Sequence, residues 1–192
     1  MNNPYESFYH GLVLSKLWLC EELEKILDIE GIKKPTVYVL GGWHNLMSFM
    51  MITRNPHRYQ EFHSYDKDNE STTIANQICD TWKIEEPRVY NHTKNVSLLD
   101  FSNSKNTIFI NCSVDQFEDT KWFSTIPIGS IVCMQTTDII DDNPKWEINQ
   151  KTKDINEFSD RYNLNTILYS GSKNIKYGHE LYYNRLMLIG YK

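Results

Sequence analysis

Residues 36–42 read Thr-Val-Tyr-Val-Leu-Gly-Gly, and this stretch decides the fold. Its first five residues form a continuous β-prone run of the kind that is buried on both faces in a parallel sheet. The two glycines then allow the backbone to turn without side-chain collisions. A helix is predicted next over residues 45–54, because its apolar residues have helical spacing and Pro56 blocks continuation. The stretch therefore predicts a strand, a glycine turn and a helix.

The residues around this unit continue the alternation of helices and strands. Residues 5–28 place most of their apolar side chains on one helical face, which predicts a leading helix that Gly31 ends. A second strand is predicted over 59–65, followed by a helix that Asp68 or Asn69 caps. Later strands are predicted by three further β-prone runs, over 88–90, 107–110 and 130–134.

The carboxyl-terminal third of the sequence has a different character. The stretch over 141–160 is polar with scattered apolar residues, which favours a surface segment with a short helix. The sequence does not decide whether this segment is a lid. Two further strands are predicted over 165–169 and 183–191, and a near-adjacent pair of this kind is normally antiparallel. The fold class is therefore α/β, with a mainly parallel sheet, an antiparallel carboxyl-terminal strand pair and an N-terminal helix.

Length and charge limit the domain organisation and the partners. A chain of 192 residues suits a single domain over 1–192, in which residues 1–30 form an N-terminal helical cap. The formal net charge of −5 disfavours long nucleic acid as a partner and favours a small molecule. The sequence has no signal-peptide pattern and no bilayer-spanning apolar stretch, so a cytoplasmic protein is expected. The four cysteines lack zinc-knuckle spacing.

A candidate ligand site lies where the first strands end. In open α/β sheets, ligands bind beyond the carboxyl ends of the strands. Gly41 and Gly42 end the first strand, and Asp66 ends the second about two dozen residues later, a spacing that suits a nucleoside. A carboxylate at this place can accept hydrogen bonds from both ribose hydroxyls. The alternative is that the glycines form an ordinary tight turn and that Asp66 caps a helix.

At this point the sequence resembles the class I S-adenosylmethionine-dependent methyltransferases. The resemblance covers most of the chain, and the segments that carry it are 37–42 as the first motif, 63–66 as the second, 109–111 as the fourth strand, 131–135 as the fifth and 186–190 at the end. It implies a Rossmann-like three-layer sandwich whose final strand inserts antiparallel into the sheet. The first motif departs from the family pattern, because Val39 stands where the family usually has an acidic residue.

The resemblance also implies a cofactor and its site. With S-adenosylmethionine as cofactor, Gly41, Gly42 and Trp43 are expected near its methionine and ribose part, and Asp66 at the ribose. Asn111 could orient the methionine end or a substrate nucleophile, or it could cap the next helix. Trp43 could instead pack between the leading helix and the sheet.

Other candidates lie near the ends of the fourth and fifth strands. The resemblance makes Asn111 and Asp115 the candidate catalytic residues, with Asp115 as a possible base. Gln135, at the end of the fifth strand, is expected to point into the same crevice. Cys112 is a poor candidate nucleophile because the sequence shows no cation beside it. No metal site is expected, because no two histidines form a helical pair.

These observations lead to a functional hypothesis and to rivals. The hypothesis is a methyltransferase that uses S-adenosylmethionine and acts on a small molecule or on an exposed acceptor group. The first alternative is a protein that binds the same cofactor without methylating, through other sulfonium chemistry or as an inactive binding subunit. A nicotinamide-dependent oxidoreductase is a second, which the missing three-glycine fingerprint disfavours.

Overall fold

The computed structural model of the protein describes residues 8–82, 88–102, 106–139, 148–177 and 181–192. The strands are β1 (Thr36–Leu40), β2 (Glu61–Asp66), β3 (Arg88–Thr93), β4 (Thr107–Asn111), β5 (Ile131–Thr137), β6 (Thr166–Tyr177) and β7 (Leu181–Tyr191). They form a seven-stranded sheet in the order β3-β2-β1-β4-β5-β7-β6. The helices are α1 (His10–Ile29), α2 (Leu46–Arg54), α3 (Asn69–Trp82), α4 (Lys121–Ser124) and α5 (Ile155–Tyr162).

The predicted strand–turn–helix unit forms the centre of the sheet. Strand β1 pairs in parallel with β2 on one side and with β4 on the other. Val37, Val39 and Leu40 are almost fully buried, as expected for a strand with layers on both faces. The carboxyl ends of β1, β2 and β4 therefore meet at one edge of the sheet, which we call the carboxyl edge.

Two strands are longer than predicted because they pair with a neighbour beyond their apolar residues. Strand β3 pairs in register with all of β2, from Arg88 to Thr93, although only 88–90 were predicted. Strand β5 continues to Thr137, opposite Arg185 of β7, although the apolar run ends at Met134. Strand β2 starts later than expected, and Tyr59 lies in the core before it.

The carboxyl-terminal pair is antiparallel, as predicted. Strand β7 lies between β5 and β6 and is antiparallel to both. Both strands of the hairpin extend past the predicted bounds, to Tyr177 and back to Leu181. The extension is polar, so it lacks the apolar pattern from which strands were predicted. It is nevertheless a strand pair, because cross-strand backbone hydrogen bonds satisfy its peptide groups.

Hydrophobic layers cover both faces of the sheet, so the prediction of a three-layer sandwich is confirmed. On one face, α1 and α2 contribute buried side chains such as Leu19, Leu23 and Met51. On the other face, Trp122, Phe158 and Tyr162 pack against the sheet. Helix α1 is thus a layer of the sandwich. None of the helices in the described ranges is long and apolar enough to cross a bilayer.

The short helix predicted within 141–160 is present as α5, but the prediction that this stretch is a surface segment is wrong there, because the helix is anchored in the core. Helix α5 buries Phe158 completely, and Asp154 caps the helix by accepting hydrogen bonds from the Asn156 and Glu157 amides, both at 3.0 Å. Two widely spaced aromatic residues are enough to anchor a short helix, which a low average hydrophobicity conceals. Residues 141–147 lie outside the described residues, as do Tyr5 and the predicted start of α1.

Candidate functional site

The glycine turn after β1 is held tightly against β2. The Gly42 amide donates to the carbonyl of Tyr65 at 2.9 Å. A Cβ atom at Gly42 would lie 1.9 Å from the hydroxyl oxygen of Ser64, so a larger residue there would force the Ser64 side chain to move. Gly41 has a φ of +66°, in the region that favours glycine, and a Cβ there would lie 3.0 Å from the Phe117 ring. Both glycines are therefore needed for the turn itself.

Asp66 joins this turn to the end of β2. One carboxylate oxygen accepts a hydrogen bond from the Trp43 amide at 2.8 Å, and the other accepts from the Asp68 amide at 2.9 Å. The predicted alternative, that Asp66 caps the next helix, is wrong. Asp68 caps α3 instead, since its carboxylate accepts from the amides of Glu70 and Ser71. The hydroxyl of Ser71 contributes most to lowering the pKa of the Asp68 carboxyl.

Trp43 lies on the turn with a left-handed backbone, at a φ of +50°. Its ring stacks on His44 with ring centroids 4.5 Å apart, and it stays half-buried outside both hydrophobic layers. Asn45, also left-handed, donates from its side-chain amide to Asn91 of β3 at 2.8 Å. Trp43 is thus not the alternative staple between α1 and the sheet, and its side chain is partly exposed.

Asn111 is the last residue of β4 and is completely buried. Its side-chain oxygen accepts a hydrogen bond from the Ser113 amide at 3.0 Å, which closes a local turn. The helix cap that the sequence left open is therefore not formed, since the short 3-10 helix Val114–Gln116 begins after Ser113 without a side-chain cap. The Asn111 Nδ2 group has no partner among the described residues, so a buried donor is left unsatisfied.

Asp115 lies in that 3-10 helix and is only 4% exposed. The Thr137 hydroxyl donates to its Oδ2 atom at 3.3 Å, whereas Oδ1 has no partner in the described part of the chain. Its backbone carbonyl accepts from the amides of Asn149 and Gln150, which holds the segment in place. Burial raises the pKa of the Asp115 carboxyl, although the charge of Arg185 and the Thr137 hydrogen bond oppose this rise. Such a carboxylate is a better proton acceptor than an exposed one.

Two cations beside these residues were missed in the sequence. Arg185 lies on β7 opposite Thr137 and donates from Nη2 to the backbone carbonyl of Cys112. Lys16 of α1 follows Ser15, whose carbonyl accepts a hydrogen bond from Gln135 of β5. Burial lowers the pKa of the Lys16 ammonium group, and the charges of Cys112 and Arg185 also influence it. The prediction that no cation lies beside Cys112 is therefore wrong. The sequence feature that could have indicated Arg185 is a single charged residue next to an apolar strand segment, in Asn184-Arg185-Leu186-Met187.

Gln135 connects β5 to the leading helix. Its side-chain amide donates to the carbonyl oxygen of Ser15 in α1 at 2.9 Å, while its own oxygen has no partner among the described residues. The Thr136 hydroxyl, one residue later, is buried and likewise lacks a partner within the described ranges. Gln135 is thus tied to α1 rather than extended into an open crevice.

Five of the buried side-chain atoms that lack a hydrogen-bond partner among the described residues lie towards the carboxyl ends of β4 and β5 and on the neighbouring part of β7. The atoms are Nδ2 of Asn111, Oδ1 of Asp115, Oε1 of Gln135, Oγ1 of Thr136 and Nε of Arg185, whereas others lie elsewhere, on Arg58, Tyr59, Thr107 and Trp122. Leaving a buried polar group unsatisfied costs about 1–3 kcal/mol, so a ligand that supplied partners to these five atoms would recover part of that cost. By contrast, a cavity of about 250 Å³ at the opposite edge of the sheet, near Ile32 and Ile128, has no charged side chain in its lining.

No model of a known protein family matches this sequence, and no curated protein sequence matches it. Solved structures do match. Magnesium protoporphyrin IX methyltransferase from Synechocystis, crystallised with S-adenosylmethionine, covers 99% of this chain and 85% of its own, at 11% identity and a TM-score of 0.61. The YcgJ protein of Bacillus subtilis covers 90% of this chain and 98% of its own, at 10% identity and a TM-score of 0.64.

A methyltransferase from Clostridium acetobutylicum that depends on S-adenosylmethionine covers 90% of both chains, at 9% identity and a TM-score of 0.61. This chain has the class I methyltransferase fold. The fold's first glycine motif is modified here, since Val39, where the usual acid is missing, is buried in the core.

Within the methyltransferase fold, the described residues show no metal centre. They contain no group of three or more histidine, cysteine or acidic side chains that could hold a metal ion. All four cysteines are free, and Cys112 is buried.

Proposed function

We propose that the protein is an S-adenosylmethionine-dependent methyltransferase that acts on a small molecule or on an exposed acceptor group of a larger one. The observation that carries the proposal is the carboxyl edge itself. There, the turn held by Asp66 follows β1, and the neighbouring strands β4 and β5 end in buried polar side chains with atoms that lack a partner among the described residues. A protein of the same fold, magnesium protoporphyrin IX methyltransferase, was crystallised with this cofactor bound, which supports the choice of ligand.

Asp66 would bind the ribose of the cofactor. Each of its oxygens already accepts one backbone hydrogen bond, but a carboxylate oxygen has a second lone pair for a ribose hydroxyl. The amide contacts hold the carboxylate in place before the ligand arrives, which reduces the entropic cost of binding. Gly41, Gly42 and Trp43 would border the sugar and the methionine chain, with the exposed part of the Trp43 ring available for packing.

Asn111 and Asp115 would act on the methyl acceptor. When bound, the cofactor supplies an electrophilic methyl group attached to a sulfonium sulfur. The sulfur leaves as a neutral thioether, so its departure needs no acid. The free Nδ2 of Asn111 is a donor, so it suits an oxygen of the acceptor or of the cofactor, whereas its Oδ1 is already shared with Ser113. The free Oδ1 of Asp115 can accept the proton that an O–H or N–H acceptor must lose.

The contribution of the chain is mainly alignment and exclusion of water. Asn111 and Asp115 are both nearly fully buried, and the Asn149–Gln150 segment closes over Asp115. In a site shielded from water, fixed dipoles orient the acceptor without reorganising during the reaction. No further catalytic group is needed for an in-line displacement of this type.

Isothermal titration calorimetry with S-adenosylmethionine and S-adenosylhomocysteine tests the proposal. We expect both to bind at 1:1 stoichiometry with dissociation constants in the micromolar range. Transfer of a tritium-labelled methyl group to a mixture of small acceptors then tests the reaction. Absence of binding by either ligand at high micromolar concentration would contradict the proposed function. If the cofactor binds but is cleaved to products other than S-adenosylhomocysteine, the reaction is a different sulfonium reaction and not methyl transfer.

A further inference from the structure

Arg185 is a buried cation with spare hydrogen-bonding capacity. The residue is 4% exposed, and its Nη2 group donates to the carbonyl of Cys112. Its Nε–H group has no partner among the described residues. A guanidinium that is removed from water normally has a carboxylate or several acceptors around it, because an unpaired buried charge is costly. A neutral carbonyl satisfies only part of that need.

The strands around Arg185 hold it in one position. Arg185 lies opposite Thr137 in the β5–β7 ladder. Its neighbour Asn184 donates to both carboxylate oxygens of Asp138, from the backbone at 2.8 Å and from the side chain at 2.7 Å. The guanidinium is therefore held at the carboxyl edge, next to the first residue after β4. A cation positioned in this way is preorganised for a ligand.

Lys16 brings a second positive charge to the same place. The residue before it, Ser15, is tied by its carbonyl to Gln135 of β5. Lys16 forms no hydrogen bond and no ion pair within the described ranges. Burial is the main cause that lowers the pKa of its ammonium group, and the nearby Arg185 charge lowers it further. Lys16, which is half-buried, thus adds a second positive charge to that of the buried Arg185.

We propose that Arg185 and Lys16 form a subsite that binds a carboxylate at the carboxyl ends of β4 and β5. The inference rests on the proposed function, because the carboxylate would belong either to the methionine end of the cofactor or to the methyl acceptor. Arginine suits this role, since its planar fork of N–H donors matches the two oxygens of a carboxylate. Lysine contributes a point charge that does not require a fixed angle.

Charge balance favours a carboxylate over a phosphate. Asp115 is the buried acidic residue that influences this region, and its pKa responds to the Arg185 charge. With Lys16 and Arg185 protonated and Asp115 ionised, the local formal charge is +1, from two cations and one anion. A monoanion neutralises this charge, whereas a phosphate dianion would leave a buried net negative charge, which is unfavourable.

The Nε–H resonance of Arg185 provides a direct test in the unmodified protein. It is recorded by ¹H–¹⁵N correlation NMR on ¹⁵N-labelled protein and assigned from its disappearance in Arg185→Lys. The protein is titrated with S-adenosylhomocysteine, with 5′-methylthioadenosine, which lacks the amino-acid group, and with acetate, benzoate and inorganic phosphate. The carboxylate titrations are repeated on protein saturated with S-adenosylhomocysteine.

The source of the carboxylate follows from which ligand moves the resonance. A downfield shift with S-adenosylhomocysteine but not with 5′-methylthioadenosine supports the subsite and assigns it to the cofactor. A shift with acetate or benzoate on the saturated protein supports it and assigns it to the acceptor. No shift with any carboxylate ligand would overturn the proposal, as would a larger response to phosphate.

Variants of Lys16 give an independent readout. We expect Lys16→Met to weaken binding of the carboxylate ligand identified by NMR by about tenfold or more, because a hydrogen bond to a charged group is lost. Lys25→Met is the matched control on the same helix, since Lys25 is exposed and paired only with Glu22. Equal affinities for both variants would contradict a role for Lys16. If carboxylates shift the Arg185 resonance but S-adenosylmethionine does not bind to the protein, the subsite proposal stands and the proposed function is excluded.

Discussion

The backbone amide of Trp43 donates a hydrogen bond to the carboxylate of Asp66 at 2.8 Å, across the ends of β1 and β2. The two residues are 23 positions apart, so the contact exists only because the strands are parallel neighbours. It holds a turn in which Gly41, Trp43 and Asn45 all have positive φ angles. The nucleoside side of the proposed site is thereby formed before any ligand binds.

Replacement of Asp66 tests the nucleoside side of this site. Asp66→Ala removes the acceptor for Trp43 and, on our proposal, the acceptor for the ribose hydroxyls. We expect the affinity for S-adenosylhomocysteine, measured by calorimetry, to fall about 10- to 100-fold, as for the loss of charge-assisted hydrogen bonds. Asp80→Asn is the control, because Asp80 is exposed on α3. An unchanged affinity in Asp66→Ala would exclude Asp66 from the site.

Replacement of Gly42 by a larger residue should destabilise the protein, because Ser64 lies close to it. Gly42→Ala would place a Cβ atom 1.9 Å from the Ser64 hydroxyl oxygen and 3.3 Å from its Cβ. We expect the free energy of unfolding in urea to fall by about 1–3 kcal/mol, the usual cost of overpacking. Adding Ser64→Ala removes the closer atom, so the double variant should recover part of that loss.

Gly31→Ala is the matched control for backbone conformation. Gly31 has a φ of +65°, but no atom lies within 4 Å of the position where its Cβ would be. We expect it to cost about 1–2 kcal/mol from the left-handed backbone alone, with no recovery on Ser64→Ala. If Ser64→Ala rescued both variants equally, the steric explanation for Gly42 would be wrong.

Asp115 should make the stability depend on pH in a specific direction. Burial raises the pKa of its carboxyl in the folded state. Between the unfolded pKa, about 3.9, and the raised folded value, the folded protein binds more protons than the unfolded chain. The contribution of Asp115 to stability is therefore greatest at low pH and is lost as the pH rises through the folded pKa.

The Asp115→Asn variant isolates this contribution. Asparagine has the same shape and does not ionise, so the variant should gain stability relative to the native protein as the pH rises from 4 to 7. Urea unfolding of the native protein and of the variant at several pH values measures this difference. Parallel pH profiles for the native protein and Asp115→Asn would contradict a raised pKa for Asp115.

Asp138 should stabilise the start of β7. It accepts hydrogen bonds from the Asn184 amide and from the Asn184 side chain, next to Arg185. We expect Asp138→Ala to lower the free energy of unfolding by about 1–3 kcal/mol, because two donors lose their partner. Hydrogen exchange at the Asn184 and Arg185 amides should accelerate.

Asn174→Ala serves as the control for Asp138→Ala. Asn174 contacts Asn184 through an exposed side-chain hydrogen bond of 3.3 Å and leaves the Asp138 contacts intact. Exchange at Asn184 should therefore stay slow in this variant. Equal acceleration in both variants would show that the hairpin frays as a unit and that Asp138 has no special role.

Local patterns in the sequence were enough to predict the order of the elements. The apolar run of β1, the glycine turn and the antiparallel carboxyl-terminal pair each depend on residues close together in the chain. The polar ends of β5, β6 and β7 were missed, because there the backbone hydrogen bonds come from a partner strand rather than from an apolar pattern. Helix α5 was underestimated since only two side chains anchor it.

The sequence by itself determined the α/β class and placed Gly41, Gly42, Asp66, Asn111 and Asp115 at strand ends, because turn chemistry and hydrophobic periodicity are local. Only the tertiary structure brought Arg185 of β7 to the Cys112 carbonyl and placed it opposite Thr137, whose hydroxyl bonds to Asp115, since these residues are distant in the chain. It also decided that Asp66 holds the turn while Asp68 caps the helix. Hydrogen-bond geometry and desolvation depend on neighbours that are distant in the chain, and those neighbours exist only after folding.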